Sequence, residues 1–296
     1  MPRAVFVVAL SSHSTVSMPD SFSTSSFTKV HFSALSLLEF GRRYYKVFEQ
    51  HSIRFITYDH PDGRRTYIRS LCFALQNAVN ELYPDKILAI GYSLPSGLYC
   101  EIREKDNLED GRPAVYFITD SELEALKAKM ADIIEADLPF KRVKMAFDEA
   151  ERLYTAKNQT EKVHLMNSLK RFTYSVYFLD GKADTFYGPL APSTGYLGIF
   201  DIMGFNEGFC LQYPMDGCPD KVLPMKRQSK IATALKEHSD WCSIMNVRGV
   251  GSLNRIVSEG RITELINLSE ALHERKYAEI ADLIYARRGS VKIVFI

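Results

Sequence analysis

An α+β protein is what this sequence predicts, and three observations carry that expectation. Between residues 65 and 82 the apolar residues Ile68, Leu71, Cys72, Leu75, Ala78, Val79 and Leu82 recur at the i, i+3, i+4, i+7 spacing of a helix with one buried face. Short alternating segments bounded by turn residues, such as 172–179 ahead of Asp180-Gly181, follow the period of half-buried strands. From about Pro219 the composition changes to helix formers. At 296 residues, with 46% hydrophobic and 25% charged content, the chain suits two or three compact units. Burying the helix face is worth about 1.5–3 kcal/mol for each large side chain before entropy is counted. The rest of the chain is therefore expected to organise around this helix.

Composition excludes several classes. A formal net charge of +1 gives no general drive toward nucleic acid or an anionic membrane. The five cysteines (Cys72, Cys100, Cys210, Cys218 and Cys242) are scattered, and none forms a C-x-x-C pair. Neither a disulfide framework nor a zinc ribbon is indicated, and reduced thiols in the cytoplasm are the simpler reading. The apolar run at 4–10 is too short to span a membrane and has no convincing cleavage site. A soluble intracellular protein with no membrane partner is expected.

Taken in order, 5–10 and 14–18 read as strands, with Pro19-Asp20 as a turn and 21–28 as a Ser/Thr-rich loop or frayed helix start. A short helix at 33–39 and strands at 44–48 and 53–58 complete a small α+β module. Pro61-Asp62-Gly63 reads as the turn that separates it from the central helix. Pro84 stops that helix. Strands at 86–93 and 97–103 form a pair, 104–112 is a charged loop, and Thr119 or Asp120 caps a helix to about Ala136. Leu123, Leu126, Met130, Ile133 and Ile134 share one face of it. A strand at 140–147, helices at 148–156 and 162–169, and strands at 172–179, 197–203 and 208–213 follow. Helices are expected at 225–238, 252–258 and 262–286, the last with Leu265, Leu268, Leu272, Ile280, Leu283 and Ile284 turned inward. The ending VKIVFI reads as a buried strand, as if the chain were cut where another domain begins.

Two stretches together carry a family resemblance. RSLCFALQNAVNELYPDKILAIGYSLPSGLYCEI (69–102) and LEALKAKMADIIEADLPFKR (123–142) resemble the editing, or second additional, domain of threonyl-tRNA synthetase. YGPLAPSTGYLGIFDI (187–202) is similar to that domain's G-P-x-x-P-S-T-G signature. The resemblance implies a ubiquitin-like β-grasp (TGS-like) module at 1–62, a threonyl/alanyl-tRNA synthetase common-domain-like unit at 63–218 and a helical connector at 219–290. PDGRRTYIRSLCFAL, YGPLAPSTGYLGIFD, VGSLNRIVSEG, SEALHERKYAEIADLI and the terminal VKIVFI together further resemble the N-terminal half of uridine kinase-like nucleoside kinases. That likeness makes 291–296 the first strand of a missing P-loop kinase domain, the expected partner of this chain.

What the resemblance implies divides by residue. No G-x-x-x-x-G-K-[ST] occurs, so ATP and magnesium are expected only on the missing domain, with no cofactor here. Gly249-Val250-Gly251 is the nearest glycine-rich candidate and reads as a helix–helix turn. At the positions matching the family's two helix histidines stand Arg69 and Phe73. At those of its cysteine and histidine around the signature stand Phe186 and Leu190. Phenylalanine and leucine can neither hold zinc nor accept a proton, so no catalytic residue and no metal are expected in this groove.

The ligand-binding candidates are Arg69, Ser70, Phe73, Tyr99, Tyr187, Ser193 and Thr194. A guanidinium at Arg69 must reach solvent, a carboxylate or an anionic ligand, so both an internal salt bridge and an anion contact stay open. Ser193-Thr194-Gly195 either supplies hydroxyls to that groove or satisfies its own backbone. His238 and Cys242, four apart, either share a metal or pack beside Trp241. The clusters Arg42-Arg43-Lys46 and Lys141-Arg142-Lys144 are solvated faces or an RNA contact. The leading expectation is a non-catalytic binding or regulatory region of a nucleoside kinase. The alternative is an RNA- or tRNA-binding, trans-editing module, with nucleotide or RNA as partner. Self-association into a homo-oligomer through the apolar tail stays open.

Overall fold

The computed structural model describes residues 7–11, 52–95, 97–109, 112–157, 159–225, 229–247 and 249–292. Within them the chain is α+β, with antiparallel sheets and helices. It divides into two compact units, 1–145 with 175–227 and 146–174 with 228–296. The elements expected at 14–18, 33–39 and 44–48, and most of the terminal strand, lie outside the described residues.

In the first unit β1 (Val7–Ser11) and β2 (Ser52–Ile56) pair antiparallel. Helix α1 (Pro61–Leu82) begins ahead of its expected start, because Pro61-Asp62-Gly63 forms its first turn rather than a separate one. Proline fits there since its missing N–H would have no partner in a first turn, and Asp62 favours the positive end of the helix dipole. His60 Nδ1 accepts from the Asp62 N–H at 3.2 Å. Gly63 is required by close packing: a Cβ there would stand 2.0 Å from the Thr57 carbonyl oxygen.

Leu71, Cys72, Leu75, Ala78 and Val79 are buried as the periodicity predicts, while Ile68 is only partly buried and Leu82 is exposed. Phe73, Ala74 and Asn77 are buried as well. The helix therefore meets neighbours on more than one face.

Strands β3 (Lys86–Leu94), β4 (Gly97–Glu109) and β5 (Arg112–Tyr116) follow. The expected charged loop at 104–112 is corrected here. Leu108 pairs with Pro113 and Glu109 with Arg112, so the charged run belongs to paired strands and not to an irregular segment. Helix α2 (Asp120–Glu135) starts at the expected cap, where Thr119 Oγ1 accepts from Glu122 N and the Glu122 carboxylate accepts from Thr119 N. Its predicted apolar face, Leu123 to Ile134, is buried.

Beyond α2, β6 (Lys141–Ala146) leads to α3 (Phe147–Ala156) and α4 (Thr160–Leu169). Then β7 (Thr173–Leu179) turns into β8 (Lys182–Asp184) through Asp180 and Gly181 at φ 47° and 74°, the pair of positive values a tight hairpin needs. Strands β6, β7 and β8 form a three-stranded sheet in that order.

The hairpin β9 (Asp201–Phe205) and β10 (Gly208–Gln212) joins the larger sheet, whose order is β3-β4-β10-β9 with β5 on β4. Cys100, Ile102, Ile202, Phe209 and Leu211 on one face of that sheet share a single core with α1 and α2. Glu81 at the end of α1 ties the layers, accepting from Lys129 of α2 at 2.5 Å and Lys182 of β8 at 3.0 Å.

In the second unit α5 (Ser229–Ile244), α6 (Val250–Ser258) and α7 (Ile262–Ala286) accompany α3 and α4. Glu161 of α4 accepts from Ser252 N at 3.0 Å, so a carboxylate already occupies the start of α6. Helix α7 has the predicted bounds but buries none of its residues, and Leu268, Ile280 and Leu283 are exposed. Helical spacing says which residues share a face and not whether anything covers it. Among the described residues no helix is long and apolar enough to cross a membrane.

Gly63→Ala separates intrinsic propensity from packing. In a free helix this change gains about 1 kcal/mol. Here the clash with Thr57 is expected to reverse the sign and cost about 1–3 kcal/mol, read by urea denaturation under far-UV circular dichroism. A variant more stable than the parent would show that the two backbones are not pressed together.

Candidate functional site

The signature segment 188–196 has almost no regular secondary structure, so its backbone depends on side chains of neighbouring elements. Helix α1 supplies two of them. Ser70 Oγ donates to Thr66 O at 2.8 Å and accepts from the buried Ala191 N–H at 2.7 Å. Arg69 Nε donates to Pro189 O at 3.1 Å, and Nη2 to Thr66 Oγ1 at 3.3 Å. From β7, the Tyr177 hydroxyl donates to Gly188 O at 3.1 Å.

The far end of the segment is tied to the α2–β6 connection. Thr194 Oγ1 donates to Ile133 O at 2.7 Å and accepts from Leu138 N at 2.8 Å, while Thr194 N donates to Leu138 O at 2.9 Å. Ser193 Oγ and Gly195 N both donate to Asp137 Oδ1, at 2.5 and 3.1 Å. Phe140 N reaches Pro192 O at 3.2 Å.

Gly188 sits at φ 151°, and a Cβ on it would lie 2.5 Å from Arg69 Cζ. Only glycine lets the guanidinium rest against the loop there. Among the described residues no carboxylate lies within ion-pair distance of Arg69, so the salt bridge left open by the sequence does not form. Burial pushes its pKa below the ordinary value, with Arg65 adding to the shift and Tyr177 and Asp62 opposing it. A guanidinium nonetheless stays charged.

Between α1 and the loop the floor is apolar. The Phe73 ring lies 5.2 Å from Phe186 and 5.9 Å from Phe140, and Tyr177 meets Phe186 edge-on at 6.1 Å. Phe73 and Leu190 are buried. With Phe186, which packs partly buried against the core, these are three of the four positions that the resemblance matches to hydrolytic residues.

The structure thus brings Arg69, Ser70, Phe73, Ser193 and Thr194 around one loop, with Tyr187 beside it and exposed. Thr194 is fully buried and spends its hydroxyl on the backbone, and Phe73 forms floor. Tyr99 does not join them: it stacks on Tyr92 at 4.8 Å and meets Phe205, on the sheet face opposite Cys100 and Ile102. Strand parity alone separates it from its neighbours.

Sequence reasoning missed Arg142 and Gly188 as members of this site. Arg142 Nη2 donates to Ser175 Oγ at 2.6 Å, and Ser175 precedes Tyr177 by one strand repeat, so both point to the same face. His238 and Cys242 do meet, at 3.7 Å. Among the described residues no group of three or more His, Cys, Asp or Glu is placed to hold a metal.

An α+β unit built on a central helix and a side-chain-tied Pro-Ser-Thr loop is the class these features define. No family model matches the chain. Its curated relatives include the threonine–tRNA ligase of Carboxydothermus hydrogenoformans, 27% identical over 165 residues, covering 55% of this chain and 24% of the relative. The ligase of Rubrobacter xylanophilus is 32% identical over 150 residues, covering 51% and 22%. Threonine–tRNA ligase 2 of Bacillus subtilis is 26% identical over 159 residues, covering 53% and 23%. The chain spans about a quarter of the length of these relatives, which match about half of it. These names overturn the nucleoside- and uridine-kinase expectation, and only the threonyl-tRNA synthetase likeness stands.

Two measurements follow. Thr194→Val keeps shape but leaves the Ile133 carbonyl and the Leu138 N–H unpaired, at an expected cost of about 1–3 kcal/mol with faster hydrogen exchange at Leu138. An unchanged exchange rate there would show that the loop is held by other means. Burial pushes the Cys72 thiol up to about 12 and Cys210 to about 11. A thiol reagent at pH 8 should therefore label Cys218 and Cys242 in the folded chain, and Cys72, Cys100 and Cys210 only in urea. A raised thiol pKa stabilises the fold below the ordinary 9.0, and for Cys72 this is lost as pH climbs toward about 12.

Proposed function

We propose that this chain is an RNA-binding module that engages tRNA without hydrolysing it at the groove. One observation carries the reading: the floor between α1 and the signature loop is packed with Phe73, Phe140 and Phe186. None of these can activate water, hold a metal or accept a proton. The edge by contrast carries Arg69, and Arg142 lies beside Ser175 of β7, cations that suit a polyanion. The names of the relatives supply the substrate class, since each is a ligase for tRNA. The same reading assigns 1–62 to a TGS-like module, 63–218 to an editing-domain-like unit and 219–290 to a helical connector, in a cytoplasmic protein.

The test pairs binding with turnover. Fluorescence anisotropy on a threonine-type tRNA should give an affinity that falls linearly on a log–log plot against salt, by about 0.7–0.9 per phosphate engaged. Deacylation of the same tRNA when mischarged should run at the blank rate. Binding indifferent to salt defeats the RNA reading, and a deacylation rate above blank that Arg69→Ala abolishes returns hydrolysis to this groove.

A further inference from the structure

We propose that Arg69 and Arg142 together form a clamp for a single phosphate group, seated at the edge of the signature loop beside Gly188 and the Tyr177 hydroxyl. The proposal deepens the RNA reading and rests on it for the source of the phosphate. The geometry is as follows. Arg69 of α1 lies against Gly188, held by Pro189 O and Thr66 Oγ1. Arg142 of β6 is held by Ser175 Oγ, on the same face of β7 as Tyr177. Tyr177 binds Gly188 O and so links the two arms. Both guanidinium charges act on its hydroxyl, partly offsetting the rise that burial causes.

Among the described residues no carboxylate pairs with Arg69 or Arg142. Asp62, the nearest acid on α1, pairs with Arg65 at 3.1 Å. Asp184, opposite Tyr177 across the β7–β8 ladder, accepts from Thr185 N at 2.6 Å. Arg142 Nε is also buried without an acceptor.

A partly desolvated guanidinium without a carboxylate partner is costly to hold, and both arms of the site carry one. A phosphate answers each deficit. It carries the missing charge, accepts from several N–H donors at once, and matches the planar fork of arginine. The bare Gly188 leaves the space that a side chain would otherwise take from the guanidinium.

Four variants, checked by circular dichroism, test this: Arg69→Met, Arg142→Met, the double variant, and Gly188→Ala. The last keeps both charges but puts a Cβ into the guanidinium. Each is titrated with threonine-type tRNA, with the same tRNA stripped of its terminal phosphate, and with inorganic phosphate under ¹⁵N-arginine NMR. Each single variant is expected to weaken tRNA binding about tenfold and lower the log–log salt slope by about one. The double variant should lose no further slope, because the two arms share one phosphate. Inorganic phosphate should shift both arginine Nε signals with a common saturation curve. Retained affinity on the stripped tRNA assigns the site to the backbone, and lost affinity assigns it to the terminal phosphate.

If wild-type chain binds tRNA and all four variants match it in affinity and slope, the clamp is wrong and the RNA reading survives. If phosphate shifts both arginines while tRNA does not bind, the clamp stands and the RNA reading falls. Silence toward both probes overturns both.

Discussion

Irregular backbone that is buried must find hydrogen-bond partners outside itself, and in the first unit that requirement shapes everything around the signature loop. Ser70 Oγ takes the Ala191 N–H, Thr194 Oγ1 bridges Ile133 O and Leu138 N, and Asp137 collects Ser193 and Gly195. Helix α1 must run close enough to deliver Ser70, and its first turn is pressed so near Thr57 that glycine is required there. Leaving one of these buried groups unpaired costs about 1–3 kcal/mol, a sizeable share of a domain's net stability. The loop is thus part of the core, in spite of its irregular path.

The same tying divides the site chemically. Below the loop the rings of Phe73, Phe140 and Phe186 make a dry floor with no reactive group. At its edge Arg69 is held by a carbonyl and a hydroxyl, both neutral, so its charge is left for something else to meet. Arg142 is held in the same manner by Ser175. Phenylalanine rings can neither accept a proton nor hold a metal, so the charge of this site lies at its edge and not in its floor.

Legibility varied for identifiable reasons. The spans of α2 and α7 could be read off spacing, and the start of α2 from Thr119 with Glu122, because capping and periodicity are local. Pro61-Asp62-Gly63 misled because the same three residues serve a turn or a first helical turn, and only the approach of Thr57 decides. Tyr99 seemed close to the groove along the chain and was removed by the two-residue period of β4. Arg142 looked like one of three cations on a solvated strand, and its role depends on Ser175, far along the sequence. The kinase likeness rested on stretches that lie mostly on α1, α6 and α7, and a pattern shared along a helix carries no phosphate chemistry.

The sequence by itself determined that this is an α+β chain around one buried helix, and that phenylalanine and leucine replace any zinc ligand or base at the matched positions. Those are properties of residue type and of short-range period, which no tertiary context can change. Tertiary structure alone decided which neutral groups hold Arg69 and Arg142, which serine and threonine hydroxyls are already spent, and which apolar face stays uncovered on α7. Such facts depend on pairings between residues far apart along the chain, 33 positions for Arg142 with Ser175 and 121 for Ser70 with Ala191, and no local pattern encodes them.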